Sequence, residues 1–177
     1  MNFFFLLISD KNQIFTFDET KFDLDKIIKN KIFPKKVFLL NTKDYLVIAT
    51  SRGKIYFLNT YELYKKDQKY LESFITLDSS DKIVSVFPSR SKKLIFFTKK
   101  GLVKKIEKEE VFSNRKSGVL GIKLESNDEV ISVFEIKGGE EIFVITSEGY
   151  LLIFKDNLPI QKRQAKGVKG SKGEALF

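Results

Sequence analysis

Apolar runs alternate with short polar turns along the whole chain, and three of these units repeat at a fixed interval. Residues 46–58, 94–106 and 142–154 each consist of an apolar run, the motif T-x-x-G and a second apolar run. The threonine and the glycine of this motif both recur every 48 residues. Two runs of β-forming residues that meet at a glycine predict a β-hairpin, because glycine adopts positive φ without a steric cost.

The beginning of the chain carries a degenerate fourth copy of this hairpin, over residues 5–15. Asn12 stands where the other copies have glycine, and asparagine also tolerates a left-handed backbone. The apolar run at residues 3–8 is too short to cross a bilayer, and it lacks the basic residues and the cleavage site of a signal peptide. We therefore predict a buried strand there.

Further strands are predicted between the hairpins. Residues 75–87 align with residues 122–134 at an offset of 47, and each segment predicts a pair of strands; residues 33–40 are a weaker copy. One period thus holds about four short strands, which is typical of a blade in a β-propeller-like array. A sandwich of short strands would not explain the fixed period. Residues 21–32 and 61–73 have apolar spacings that a helix could use, and we interpret them as connections between blades.

The pattern as a whole predicts a single all-β domain over residues 1–177. It has about four blades of four-stranded antiparallel sheet, with repeats that fall roughly at residues 1–32, 33–74, 75–121 and 122–177. The 18 phenylalanines favour sheet over helix, and we assign the aromatic clusters at residues 3–5 and 96–97 to the blade core.

Composition narrows the function. The chain has no cysteine and no histidine, which excludes disulfides, thiol nucleophiles and zinc–thiolate sites and removes the commonest general base. The acidic residues concentrate in predicted hairpin turns, where solvation accounts for them, and they show no spacing typical of a catalytic pair or a metal site. We therefore expect neither an enzyme nor a cofactor. A net charge of +9 favours an anionic partner such as nucleic acid.

The densest positive charge lies at residues 161–170, which read Q-K-R-Q-A-K-G-V-K-G. Between residues 155 and 172 there are six basic side chains and one acidic side chain. Such a composition predicts a loop that faces a polyanion, with glycines that let the backbone approach the partner closely. A solvated, disordered C-terminal tail is the alternative interpretation of the same charges.

Several motifs resemble one known family. Residues 115–124 read R-K-S-G-V-L-G-I-K-L, residues 128–131 read D-E-V-I, and the hairpin at residues 98–105 reads T-K-K-G-L-V-K-K. These motifs resemble the C-terminal domain of the A subunit of bacterial type IIA topoisomerases, DNA gyrase and topoisomerase IV. Residues 161–167 are similar to the family's Q-R-R-G-G-K-G box. Gln164 and Ala165 replace its two central glycines, so the chain looks more like a topoisomerase IV subunit than a gyrase subunit.

The resemblance implies a β-pinwheel whose blades exchange a strand with their neighbour and whose basic outer rim binds and bends duplex DNA irrespective of sequence. It implies a domain that is not catalytic by itself. The implied partners are duplex DNA and the remainder of a topoisomerase A subunit with its ATPase B subunit, in the bacterial cytoplasm with the nucleoid. No membrane and no small-molecule substrate are expected.

Nine residues are the candidate DNA contacts. They comprise the box-like loop, the corresponding connection one blade earlier, and a lysine pair after a hairpin glycine: Gln161, Lys162, Arg163, Lys166, Lys169, Arg115, Lys116, Lys104 and Lys105. Because neighbouring residues on a strand point to opposite faces, we expect at most one of the lysine pair to face DNA.

Two other functions fit the sequence. One is a protein-interaction propeller, which the even scatter of lysine outside the C-terminal loop favours. The other is a free-standing topoisomerase-like regulator that does not wrap DNA.

Overall fold

The computed structural model describes residues 3–21, 23–29, 31, 33–65, 70–170 and 175–176. Their β-strands, in chain order, are β1 Phe3–Ser9, β2 Ile14–Asp18, β3 Pro34–Asn41, β4 Tyr45–Thr50, β5 Lys54–Asn59, β6 Ile83–Pro88, β7 Lys93–Thr98, β8 Leu102–Glu107, β9 Val119–Leu120, β10 Val130–Ile136, β11 Glu141–Thr146, β12 Leu151–Lys155, β13 Val168–Lys169 and β14 Ala175–Leu176. Two short helices, α1 Leu24–Lys29 and α2 Thr60–Lys65, lie in the predicted connections. Single 3₁₀ turns occupy Glu19–Lys21, Leu71–Phe74 and Lys108–Glu110.

These strands form four antiparallel sheets within the described residues. Their strand orders are β2-β1-β3 in sheet 1, β6-β4-β5-β9 in sheet 2, β10-β7-β8-β13 in sheet 3 and β12-β11-β14 in sheet 4. The prediction of an all-β array with about four blades is confirmed. Sheets 2 and 3 have the predicted four strands, and sheets 1 and 4 have three among the described residues.

The three T-x-x-G motifs turn the hairpins β4–β5, β7–β8 and β11–β12, as predicted. Their glycines have φ values of +80°, +77° and +82°, and Asn12 in the degenerate copy has +57°. The threonine closes each turn twice: its carbonyl accepts from the glycine N–H, and its hydroxyl accepts from the N–H of the residue after the glycine, at 3.1–3.2 Å. The motif recurs because each turn uses the threonine hydroxyl as a hydrogen-bond acceptor and the glycine for its positive φ.

A strand from the following connection completes each of sheets 2 and 3. Strand β9 pairs with β5 and β13 pairs with β8, although a whole hairpin lies between the partners in the chain. The N–H of Gly121 donates to the carbonyl of Gly53 (2.8 Å), and Gly170 donates to Gly101 in the same way (2.9 Å). In sheet 1, Leu71 donates to Asn12 (3.1 Å). The blades therefore exchange strands, and the first three sheets each draw on two of the predicted repeats.

Apolar side chains fill the space between successive sheets. On β4, Leu46 and Ile48 pack towards sheet 1, whereas the alternate residues Val47 and Ala49 pack towards sheet 3. The phenylalanines Phe96 and Phe97 of β7 divide in the same manner between sheets 2 and 4, and both are buried. A blade in the middle of the array thus buries both of its faces.

Two details differ from the sequence prediction. Residues 75–77 and 122–124 form no strand, so that each predicted strand pair contributes only its second strand, β6 or β10. Instead, Ile75 and Ile122 are buried in the core. The first aromatic cluster is only partly core, since Phe4 is buried but Phe3 is 43% exposed.

Two acidic side chains that solvation was expected to explain are also buried. Asp81 accepts hydrogen bonds from the Ser51 hydroxyl and from the N–H groups of Arg52 and Lys82 (2.9–3.0 Å). Asp128 accepts from the N–H groups of Lys100 and Glu129 (3.0 and 2.9 Å). Each carboxylate thereby caps the turn of a T-x-x-G hairpin.

In the described part of the chain, no helix has the length and apolar character needed to span a membrane.

Candidate nucleic-acid interface

Two exposed basic loops occupy equivalent places on consecutive blades. The first basic loop, residues 113–118, leads into β9, and the second basic loop, residues 161–167, leads into β13. Each contains a tight turn, closed by Gly118 N–H to the Arg115 carbonyl (3.1 Å) or by Ala165 N–H to the Lys162 carbonyl (2.9 Å). The exchanged strands therefore place both loops at the same edge of their sheets.

Both loops also pack against equivalent segments of successive blades. The Lys116 carbonyl accepts from the Thr76 N–H at 2.7 Å, and the Ala165 carbonyl accepts from the Lys123 N–H at 3.1 Å. Thr76 and Lys123 lie at matching positions, one residue after the buried Ile75 and Ile122. The second loop is thus an ordered part of the fold rather than a frayed tail.

The glycines of the second loop approach the protein itself rather than a partner. A Cβ on Gly167 would lie 2.8 Å from the carbonyl oxygen of Val103, and one on Gly170 would overlap the Val103 side chain. In the first loop, a Cβ on Gly118 would lie 2.8 Å from the ring of Tyr56. All three glycines let the loop and the exchanged strand pack closely on the neighbouring hairpin, and for Gly167 and Gly170 this corrects the interpretation that they let the backbone approach a partner.

Six of the nine candidate contacts are exposed cations in or next to these loops: Lys162, Arg163, Lys166, Lys169, Arg115 and Lys116. Gln161 is half-buried, its N–H donates to the Lys105 carbonyl (2.8 Å), and its side-chain oxygen lies inside with no hydrogen-bond partner among the described residues. Gln161 therefore starts the loop as part of its frame.

Two of the loop cations pair with surface carboxylates. Lys162 Nζ lies 2.6 Å from Glu110 Oε1, and Lys166 Nζ lies 3.0 Å from Glu125 Oε1. The hydrogen bonds from these lysines lower the pKa of both glutamates, and the bond to Glu110 raises the pKa of Lys162. Exposed pairs of this kind contribute little free energy.

The structure corrects the prediction for Lys104 and Lys105, which are buried in β8 at 1% and 6% exposure. Lys104 Nζ donates to the carbonyls of Gly121, Arg163 and Ala165, and Lys105 Nζ donates to Asp156 Oδ1 at 2.7 Å. Strand alternation exposes one residue of a pair only where one face of the sheet meets solvent. Sheet 3 lies between two other sheets, so both lysines point inwards and neither reaches DNA.

The repeat itself carried the signal for this burial. Counted from the hairpin glycine, Lys104 and Lys105 align with Tyr56 and Phe57 of the preceding blade, which are both buried.

Among the described residues, no group of three or more acidic side chains is placed to hold a metal ion.

Strand-exchanged blades that pack one against the next, with basic loops at one edge, are typical of the β-pinwheel class. The chain belongs to the family of DNA gyrase C-terminal domains: the family model described as "DNA gyrase C-terminal domain, beta-propeller" matches residues 44–63, 92–137 and 140–172, more than half of the chain. This result confirms the resemblance found in the sequence.

Curated relatives agree with this assignment. The chain is 34% identical over 144 residues to the A subunit of DNA gyrase from Brachyspira hyodysenteriae, a match that covers 75% of this chain and 17% of the relative. It is also 34% identical over 143 residues to the A subunit of DNA topoisomerase 4 from Bacillus subtilis, covering 75% of this chain and 18% of the relative. The chain thus spans less than a fifth of the length of these relatives.

Solved structures share the fold. A crystal structure of the C-terminal domain of DNA topoisomerase IV superimposes with a TM-score of 0.77 at 22% identity, over 99% of this chain and 60% of that one. A DNA gyrase A C-terminal domain superimposes with a TM-score of 0.67, also at 22% identity, over 98% of this chain and 63% of that one.

Proposed function

We propose that this chain is a non-catalytic domain that binds and bends duplex DNA for a type II topoisomerase. The observation that carries the proposal is the repetition of an exposed cationic loop at equivalent positions of consecutive blades. The first loop offers Arg115 and Lys116, and the second offers Lys162, Arg163 and Lys166. In a propeller-like array, such loops would present cations along the rim, which favours DNA that is bent or able to bend.

The mode of binding follows from the chemistry of the loops. Lysine and arginine on a curved edge neutralise phosphates and release counterions, a contact that carries no sequence information. The carboxylates of Glu110 and Glu125 occupy two of these cations in the absence of DNA. On binding, phosphate oxygens replace them, so both lysines remain paired.

The partners beyond DNA are part of the same proposal. The relatives are A subunits of topoisomerases of which this chain covers less than a fifth. We therefore propose that the domain works with the remainder of an A subunit together with its ATPase B subunit, in the bacterial cytoplasm with the nucleoid. DNA cleavage and ATP hydrolysis are then the work of those other parts.

The proposal is tested by substituting Lys162, Arg163 and Lys166 together with alanine. Removing about three phosphate contacts is expected to weaken binding to every duplex and to reduce the salt slope of the affinity by about 3. Fluorescence anisotropy with two unrelated duplexes at several salt concentrations measures both quantities.

The matched control removes the same charge from exposed turns outside the two basic loops. Lys43, Lys92 and Lys137 are exposed and lie in the turns before β4, β7 and β11. Their triple alanine variant is expected to bind DNA nearly as tightly as the natural chain. Equal losses in the two triple variants would show that total charge, not the loops, governs binding.

One observation favours a second candidate function, a protein-interaction surface. Sheet 4 exposes an apolar face formed by Phe143, Ile145, Leu151 and Ile153, each more than half exposed. Exposed apolar faces of this kind are typical of contacts with other proteins. A chain that fails to bind duplex DNA even at low salt would favour this function over the first.

A further inference from the structure

We propose that Lys104 is a positioning residue of the DNA interface, because its buried ammonium group holds the second basic loop in the conformation that exposes its cations. This inference rests on the proposed function, since the loop is the one assigned there to phosphate binding. The residue itself contacts no DNA.

The geometry around Lys104 uses every donor that the side chain has. A lysine ammonium has three N–H donors, and here they meet three backbone carbonyls, those of Gly121, Arg163 and Ala165, each at 2.8 Å. Gly121 directly follows the exchanged strand β9, whereas Arg163 and Ala165 lie in the second loop. A single side chain of β8 therefore joins sheet 2 and the loop to sheet 3.

The loop needs a hydrogen-bond donor at this point. The Ala165 carbonyl also accepts from the Lys123 N–H, whereas the Gly121 and Arg163 carbonyls would lose the Lys104 donor, and a buried acceptor without a donor is costly. Burial lowers the pKa of Lys104 to about 8, and the nearby Glu110 carboxylate opposes that shift, so the side chain is cationic at neutral pH. The turn that exposes Lys162, Arg163 and Lys166 is thus folded around a positive charge.

The neighbouring blade has no lysine at this position and shows which hydrogen bonds form in its absence. Tyr56 occupies the position equivalent to Lys104, and its hydroxyl donates one hydrogen bond, to the Thr76 carbonyl at 2.9 Å. Within the described part of the chain, this hydroxyl makes no hydrogen bond to the first basic loop, residues 113–118. The three-carbonyl arrangement is therefore particular to the second loop, which is also the loop with the higher density of cations.

The start of the second loop is fixed independently of Lys104. The Lys105 carbonyl accepts from the Gln161 N–H at 2.8 Å, and Lys105 Nζ pairs with Asp156. The end of the loop is fixed by the pairing of β13 with β8. Loss of the Lys104 ammonium should therefore loosen the middle of the loop while both ends stay in place.

The test compares Lys104→Met, which keeps an unbranched side chain one atom shorter but removes its donors, with Lys92→Met, which removes the same charge from an exposed position. The first readout is the rate at which trypsin cleaves the native protein after Lys162, Arg163 and Lys166. Local opening controls such cleavage, so we expect Lys104→Met to raise this rate by about tenfold and Lys92→Met to leave it unchanged.

The second readout is the affinity for duplex DNA, measured alone and in the background of the alanine triple variant at Lys162, Arg163 and Lys166. We expect Lys104→Met to weaken binding by about threefold to tenfold alone and to have no further effect in the triple variant, because residues that act through one another are not additive. A Lys104→Gln variant, which retains two N–H donors, replaces Lys104→Met if the latter does not fold.

The outcomes separate this inference from the proposed function. Unchanged cleavage of the loop, or an equal loss of affinity in the triple background, would overturn the role of Lys104 even if the protein binds DNA. Conversely, faster cleavage of the loop in a protein that never bound DNA would refute the proposed function but retain the anchoring of the loop.

Discussion

At the residue scale, the two buried lysines show how position in the array overrides the character of a side chain. Lys104 and Lys105 read as surface residues in the sequence, yet each packs between sheets with its ammonium group fully or partly occupied by protein acceptors. Backbone carbonyls and the Asp156 carboxylate replace water around the two ammonium groups. Such residues stabilise the scaffold and are poor candidates for direct phosphate contact.

The pKa of Lys104 predicts a dependence of stability on pH. Its folded pKa is lowered to about 8 from the ordinary value of 10.5. Between these values the unfolded chain binds one more proton than the folded chain, so the free energy of unfolding rises with pH, by at most about 1.4 kcal/mol per pH unit from this group. Chemical denaturation at pH 7.5 and pH 9.5 should show this gain in the natural chain relative to Lys104→Met. A difference that stays constant over this range would mean that the three carbonyls keep the ammonium group charged throughout.

At the element scale, the hairpins followed directly from the sequence, whereas the exchanged strands did not. Four to six β-forming residues on each side of T-x-x-G carry a strong local signal, and all three turns have the predicted positive φ. Strands β9 and β13 have only two residues each, and their partners lie more than 60 residues away. No local pattern encodes such a pairing; only the resemblance to a known family implied it.

The extended segments after the connections were over-interpreted for a related reason. Residues 75–77 and 122–124 are as apolar as a strand, but their apolar residues serve the core between blades. Burial and strand pairing produce the same short apolar run in a sequence. The structure separates the two because Ile122 is fully buried without belonging to a strand.

The close packing of the connection on the next blade can be tested at Gly121. A Cβ at this position would lie 2.5 Å from Cζ of the buried Phe96. Because overpacking a core typically costs about 1–3 kcal/mol, Gly121→Ala should lower the free energy of unfolding by that amount. Urea denaturation measures the loss. Ser117→Ala, an exposed change in the same connection, should stay within about 0.5 kcal/mol of the natural chain. If Gly121→Ala changed the free energy of unfolding as little as Ser117→Ala, the core around Phe96 would accommodate the added methyl group without strain.

At the scale of the whole molecule, the sequence predicted the family and the fold better than the positions of individual basic side chains. A net charge of +9 and the repeated motifs pointed to a scaffold with a cationic edge. Which cations lie on that edge depends on how the strands are exchanged, since the same strand exchange exposes the two basic loops and buries the lysine pair of β8. The net charge of a sequence does not distinguish exposed basic residues from buried ones.

Both outer sheets of the array expose apolar side chains, which on sheet 1 include Phe3, Val37 and Leu39. The outer face of sheet 4 is apolar and exposed, although the equivalent residues Ile95 and Phe97 of sheet 3 are buried against the next blade. Phe143 and Ile145 follow them by one period of 48 residues. The basic loops do not depend on this face, so DNA binding through them should be a property of the chain as it stands.

The most direct test of the central claim is the salt dependence of duplex DNA affinity for the natural chain, measured with two duplexes of unrelated sequence. Five cations in the two basic loops, each neutralising one phosphate, predict a slope of log affinity against log salt of about −4 to −5. The account predicts this slope for both duplexes, with affinities that agree within about threefold. A slope near zero, or an affinity that depends strongly on the sequence of the duplex, would contradict it.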